Sequence, residues 1–115
     1  MTYYELSVYS AVNVLTKEVY VLQRNLPRDL RYTLGQEVIL KLVQVLHFIY
    51  DANRHRGKVR AESIGSALSH MEFIMISVRV FNSLNVLSQK QYVSVSYKIS
   101  DVIEQLTKWN NSIRN

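Results

Sequence analysis

Apolar residues recur along this chain at alternating steps of three and four, the spacing that lines one face of an α-helix. Four segments carry the pattern. The first runs to about Gln23 through Tyr4, Val8, Val12, Leu15, Val19 and Leu22, and it opens on "TYYE", where Thr2 and Glu5 have the spacing of a capping box. The second starts at Pro27, which suits a first helical position because the N–H it lacks would be unpaired there. It continues to about Asn53 along Leu30, Leu34, Val38, Leu42, Val45 and Ile49. Gly35 lies inside this segment, at a cost of about 1 kcal/mol relative to Ala that packing must outweigh. The third spans about Val59 to Leu84, with Ile64, Leu68, Met71, Met75 and Val78 on one face. The fourth opens on a capping box of Ser88 and Gln91 in "SQKQ" and carries Tyr92, Val95, Ile99, Val102, Leu106, Trp109 and Ile113.

Short connections between long amphipathic helices favour antiparallel neighbours, so the pattern predicts an all-α chain. It forms one domain over residues 1–115, an up-down-up-down four-helix bundle. That topology puts the turn between the first two helices at the same end as the turn between the last two. The second turn, with both termini, lies at the opposite end. The ends are separated by a rod of about 35 to 40 Å, at about 1.5 Å per residue.

The second and third segments carry further apolar positions off the core line: Tyr32, Ile39, Val43, Leu46 and Tyr50 on one, Phe73, Ile76, Val80 and Leu84 on the other. The first and fourth segments show one apolar face each. Either the middle helices are the more central pair with wide buried faces, or the extra stripes are covered by other copies in a homo-oligomeric ring or barrel.

Composition bounds the rest. With 48% hydrophobic residues, three Gly and one Pro, the chain can build a core with little loop. The absence of Cys suits a reducing cytoplasm. The opening "MTYYELSVYS" lacks the charge and apolar run of a secretory signal, and "VILKLVQVLHFIY" is interrupted by Lys41, Gln44 and His47, so export by that route and membrane insertion are not expected.

Fourteen Lys and Arg against nine Asp and Glu leave a net charge of +5. The basic residues cluster. "RHRGKVR", residues 54–60, holds Arg54, Arg56, Lys58 and Arg60 with no acid, while Arg24, Arg28 and Arg31 crowd the start of the second segment. Cations at a helix N-terminus oppose the macrodipole by a few tenths to about 1 kcal/mol each, so these three need a compensating partner. Arg24 and Arg28 read as outward anion contacts. Arg31 falls near the core line, where Asp29, Glu37 or a neighbouring subunit could pair with it.

Motifs of catalysis are missing. His47, His55 and His70 lack metal-ligand spacing, Glu18 and Glu72 form no ExxH motif, and there is no glycine-rich phosphate loop. Ser63, Ser66, Ser69 and Ser77 sit in no nucleophile elbow and mark solvent or close helix packing. The expectation is a non-enzymatic protein without cofactor, metal or small-molecule substrate.

"LPRDLRYTLGQEV", followed by a long apolar helix, an arginine-rich turn and a last helix ending "IEQLTKWNNSI", resembles the accessory variability determinant (Avd) proteins of diversity-generating retroelements. These belong with the four-helix-bundle proteins of ribosomal-RNA intervening sequences. The similarity covers nearly the whole chain and is most specific at Pro27, Arg28, Arg31, Tyr32, Leu34, Gly35 and Trp109. It implies a barrel-shaped homopentamer with a basic surface that binds a reverse transcriptase and nucleic acid. Such a protein supports mutagenic copying of template RNA into cDNA. The alternative is an oligomeric interaction protein of the intervening-sequence type without a nucleic-acid partner. By charge and position, the candidate contacts to nucleic acid or transcriptase are Arg24, Arg28, Arg31, Arg54, Arg56, Lys58, Arg60 and Arg79, and the candidate subunit interface is Tyr32, Ile39, Val43, Leu46, Tyr50, Phe73, Ile76 and Val80.

Overall fold

The fold follows from where the helical pattern is interrupted. A computed structural model describes residues 2, 3 and 6–113, in which five helices and no strand occur: α1 (Ser7–Arg24), α2 (Arg28–Arg31), α3 (Leu34–Arg54), α4 (Gly57–Ser83) and α5 (Gln89–Ser112). The four long ones pack in the cyclic order α1, α3, α4, α5, with α5 closing back on α1. Side-chain contacts fix antiparallel registers: Gln44 meets His70 and Lys41 meets Phe73 between α3 and α4, and Glu18 meets Lys98 between α1 and α5. The bundle measures 45 × 22 × 21 Å. Its length is set by the 27 residues of α4, roughly 40 Å of helix, with the turns added.

The central parts of the core lines of α1, α3 and α5 are those the spacing predicts, while Leu22, Leu30, Leu34, Tyr92, Trp109 and Ile113 toward their ends are half-buried. Val8, Val12, Leu15 and Val19 are buried, as are Val38, Leu42, Val45 and Ile49, and Val95, Ile99, Val102 and Leu106. Tyr4 lies outside the described residues, as does Glu5, on which the expected Thr2 cap depends. The described part of α1 begins at Ser7, and its N-cap position, Leu6, supplies no side-chain hydrogen bond. The second capping box is present: the Gln91 N–H donates to the Ser88 hydroxyl at 3.1 Å, and the Ser88 N–H donates to Gln91 Oε1 at 2.9 Å.

The second segment is not one helix. Pro27 caps the four-residue α2, the chain pivots through Tyr32 and Thr33, and α3 starts at Leu34. Thr33 makes the break. Its hydroxyl donates to the Asp29 carbonyl at 2.5 Å, competing with continuation of the helix, and its backbone lies outside helical geometry at φ −118°, ψ −101°. Gly35 is therefore a contact point and not a weak spot in a helix interior. A Cβ there would come within 2.9 Å of Leu26 Cδ1, 3.0 Å of the Leu30 carbonyl oxygen and 3.1 Å of Gln23 Cγ.

On α4 the buried set is wider than the predicted line: Ala67, Ile74, Ser77 and Phe81 join Ile64, Met71 and Val78, while Leu68 and Met75 are half-buried. A helix wedged between α3 and α5 buries more than one narrow stripe. Ser77 tolerates burial because its hydroxyl donates to the Phe73 carbonyl at 2.8 Å. α4 is also long and apolar enough to cross a membrane by length and composition, an 18-residue stretch of it having mean hydropathy 1.3, and here it packs on α3 and α5. It stops at Asn85, whose left-handed φ of 59° allows the Asn85 N–H to reach the Asn82 carbonyl and the Val86 N–H to reach that of Phe81.

Candidate polyanion-binding poles

The topology gathers the predicted basic residues at the two ends of the rod. Arg24 ends α1 and Arg28 opens α2, both exposed. Exposed Arg79, on the same end of α4, joins them, because its neighbours Val78 and Phe81 line one apolar cavity with Leu26 and Gly35. Exposed Lys90 at the start of α5 completes this group and was not singled out in the sequence.

Arg31 plays a different part. It is half-buried, its Nη2 donates to the Leu26 carbonyl at 3.1 Å, and its guanidinium lies 5.8 Å from the Tyr32 ring centroid. Its partner is thus a backbone carbonyl. Neither Asp29 nor Glu37 pairs with it, and Glu37 faces Lys41 at 3.7 Å instead. The Arg31 Nε is buried without a hydrogen-bond partner. Gln23 locks the same turn by donating from Nε2 to the Arg31 carbonyl at 2.7 Å. The macrodipole conflict read from the sequence largely disappears, since Arg28 and Arg31 belong to a four-residue helix and the long α3 begins later, with Glu37 in its first turn.

At the opposite pole, "RHRGKVR" forms the turn from α3 into α4, and Arg54, Arg56 and Lys58 are exposed. Arg60 points back into the fold. Its Nε donates to the carbonyls of Ala52 (2.8 Å) and His55 (2.9 Å), its Nη2 reaches the Asn53 carbonyl (3.4 Å), and its guanidinium sits 5.6 Å from the Trp109 ring centroid. One side chain thereby closes the C-terminus of α3 and ties it to α5. Meanwhile α4 begins with no acidic residue in its first turn and no side-chain cap, so its positive end faces the same cations.

Beside this turn stands a column that was not foreseen. The Arg54 guanidinium lies 5.2 Å from the Tyr50 ring, the His47 ring stacks on Tyr50 at 6.2 Å, and Tyr3 meets Tyr50 edge-on at 4.9 Å. The spacing of 47, 50 and 54 at helical neighbours was the available signal. Among the described residues the ion pairs are Lys41–Glu37, His47–Asp51, Lys98–Glu18 and Lys108–Glu104, and none involves an arginine. Among those residues, too, no group of three or more His, Asp or Glu side chains is placed to hold a metal ion.

The predicted interface residues divide. Tyr32, Val43, Ile76 and Val80 are exposed, whereas Ile39, Leu46 and Phe73 are half-buried against the core and Tyr50 is half-buried in the aromatic column. The α3–α4 register places Leu40, half exposed and absent from the predicted set, opposite Ile76. The outward strip on this flank is therefore Leu40, Ile76, Val80 and Leu84. The expectation of a single apolar face on the first and last helices also fails, because Val14, Tyr20 and Val21 of α1 and Val93 and Tyr97 of α5 are exposed. A heptad-like count on one helix cannot tell which off-core positions a neighbouring helix covers.

Compared with known proteins, the chain matches no family profile and no curated sequence. Its functional reading rests on the residues themselves.

Proposed function

We propose that this chain is a non-catalytic accessory subunit that assembles with copies of itself and binds RNA or DNA in support of a reverse transcriptase, as its resemblance to the Avd proteins implies. The observation that carries the nucleic-acid part is the set of exposed cations at the two poles that have no carboxylate partner among the described residues: Arg24, Arg28 and Arg79 at one, Arg54, Arg56 and Lys58 at the other. In a fold with acids to spare, exposed arginines left without carboxylate partners are available to phosphate, for which the planar guanidinium is suited. Binding of this kind is set by phosphates, is largely independent of base sequence and falls steeply with salt.

Retention on heparin or RNA that declines with salt is the expected result, as is weaker retention of Arg54→Gln/Arg56→Gln/Lys58→Gln with the fold intact. Absent or salt-insensitive binding refutes the polyanion reading. The internal engagement of Arg31 and Arg60 favours a second reading, an oligomeric interaction protein without a nucleic-acid partner. Co-purification with a reverse transcriptase encoded beside this gene separates the two.

A further inference from the structure

We propose that His47 is a stacking platform for an unpaired nucleobase, held in place by Tyr50 and Arg54 behind it, and that the α3–α4 pole therefore selects single-stranded nucleic acid. The inference rests on the polyanion reading above and names the form of nucleic acid that this pole takes.

His47, Tyr50 and Arg54 stand three and four residues apart on α3, which brings their planar groups onto one helix face. Tyr50 is approached from both directions along the axis. From the turn after it, the Arg54 guanidinium lies 5.2 Å from the ring centroid, and Nη1 donates to the Tyr50 hydroxyl at 3.4 Å. From the turn before it, the His47 ring stacks at 6.2 Å with 22° between the planes. Tyr3 meets the Tyr50 ring edge-on at 4.9 Å and is itself met edge-on by Tyr9 at 5.2 Å. Two further rings thus hold Tyr50, and Tyr50 backs His47. A surface already fixed in this way spares a flat ligand the side-chain ordering that opposes association.

The open end of the column is His47. Tyr50 is half-buried, whereas the His47 side chain is 68% exposed. Phe48 stands 6.4 Å from the His47 ring, tilted by 51°, and packs inward on the core. A carboxylate decides what His47 can receive. Asp51 Oδ2 lies 3.4 Å from His47 Nε2, so negative charge already stands at the edge of the ring and repels a phosphate there. What the ring offers is its face.

The phosphates belong further on, where exposed Arg54, Arg56 and Lys58 follow. His47 and Arg54 are seven residues apart, about 10 Å along the helix at about 1.5 Å per residue. About three nucleotides at a stacked rise of about 3.4 Å cover that distance, so one short strand sets a base on His47 and its phosphates among the cations of the turn. In a duplex the faces of the bases are covered by their neighbours, while single strands, loops and bulges present theirs. The other pole has no such column: exposed Tyr32 has the Arg31 guanidinium 5.8 Å away and, among the described residues, no ring stacked behind it.

The test compares three labelled probes of ten nucleotides by fluorescence anisotropy at one low salt concentration: single-stranded RNA, a strand with the same number of phosphates but abasic throughout, and blunt duplex RNA. His47→Gln removes the ring, and His47→Phe keeps a ring without its charge or hydrogen bonds. His47 is exposed, so the bundle stands in both, and circular dichroism checks it. The wild type is expected to bind the single strand at least about tenfold more tightly than the abasic strand. His47→Gln is expected to lose about tenfold on the single strand and less than twofold on the abasic strand and the duplex, and His47→Phe to keep the affinity of the wild type for the single strand within about twofold. Equal binding of the single and abasic strands by the wild type overturns the stacking and leaves the polyanion reading intact. So does a His47→Gln protein that keeps the wild-type preference, or one that loses as much on the duplex as on the single strand. A His47→Phe protein as weak as His47→Gln means that His47 acts by charge or hydrogen bonding and overturns the platform. A wild type that binds none of the probes overturns both readings.

Discussion

The three glycines allow one chemical change, Gly→Ala, to be made in three environments with different outcomes. In the interior of a helix the change is worth about 0.5–1 kcal/mol of stability through backbone entropy. Gly65 sits mid-helix in α4 with nothing within 4 Å of the added Cβ, so Gly65→Ala should realise that gain. Gly57 also has open space, but its φ of +58° is a conformation in which a Cβ costs roughly 1–2 kcal/mol, so Gly57→Ala should lose about 1 kcal/mol.

Gly35 decides the argument. Its added Cβ would stand 3.0 Å from the Leu30 carbonyl oxygen, a backbone atom that cannot swing aside, and 2.9 Å from Leu26 Cδ1, whose side chain is 2% exposed and has little room. Overpacking of this kind costs about 1–3 kcal/mol, which outweighs the helical gain and leaves Gly35→Ala less stable by about 1–2 kcal/mol. For a domain of this size, 1 kcal/mol is about 4 °C in Tm. Thermal melts followed by circular dichroism at matched protein concentration should therefore rank Gly65→Ala above the wild type, Gly57→Ala below it, and Gly35→Ala lowest or nearly so. A Gly35→Ala protein as stable as the wild type, or more so, would refute the close approach of α1, α2 and α3 and with it the break at Thr33.

Arg60→Ala should cost about 2 kcal/mol, because it uncaps the C-terminus of α3 and removes the contact with Trp109, and the Trp109 fluorescence should shift toward that of an exposed indole. Ser88→Ala removes an acceptor from the Gln91 N–H and should cost about 1 kcal/mol in urea unfolding, with no change in the urea dependence itself. Lys108 hydrogen-bonds Glu104 at 2.8 Å and holds its carboxyl below the ordinary value of 4.5, while the same contact raises Lys108 above 10.5. The Glu104 share of this stability is present above the unfolded carboxyl pKa and is lost as pH falls through the lower folded value. The Lys108 share is present below its unfolded pKa and is lost as pH rises through the higher folded one. Both are small at this exposed site, and Glu104→Gln should remove both ends of the pH dependence together, read from melts across pH at low salt.

Much of the architecture was legible because periodicity reports directly on burial where a helix has one neighbour-facing side. The line Val95, Ile99, Val102 and Leu106 is buried as spaced, and the Ser88–Gln91 box is a local device that needs no tertiary context. The basic pole at residues 54–60 follows from the same reading, since a turn between antiparallel helices must lie at an end.

The sequence by itself thus determined that the chain is helical, where its longest helices lie, which residues form most of their core and that its charge concentrates at turns. Those properties come from local spacing and capping chemistry. The tertiary structure decided what each cation does. Arg60 and Arg56 lie four residues apart in one basic run, yet Arg60 is drawn inward by the carbonyls at the end of α3 while Arg56 is left in solvent. It also decided that Gly35 is a point of contact, that "LPRDLRYTLG" folds as a broken helix, and that Leu40 shares a flank with Ile76. Each of these depends on atoms far apart in the chain, whose approach no spacing within a single helix records.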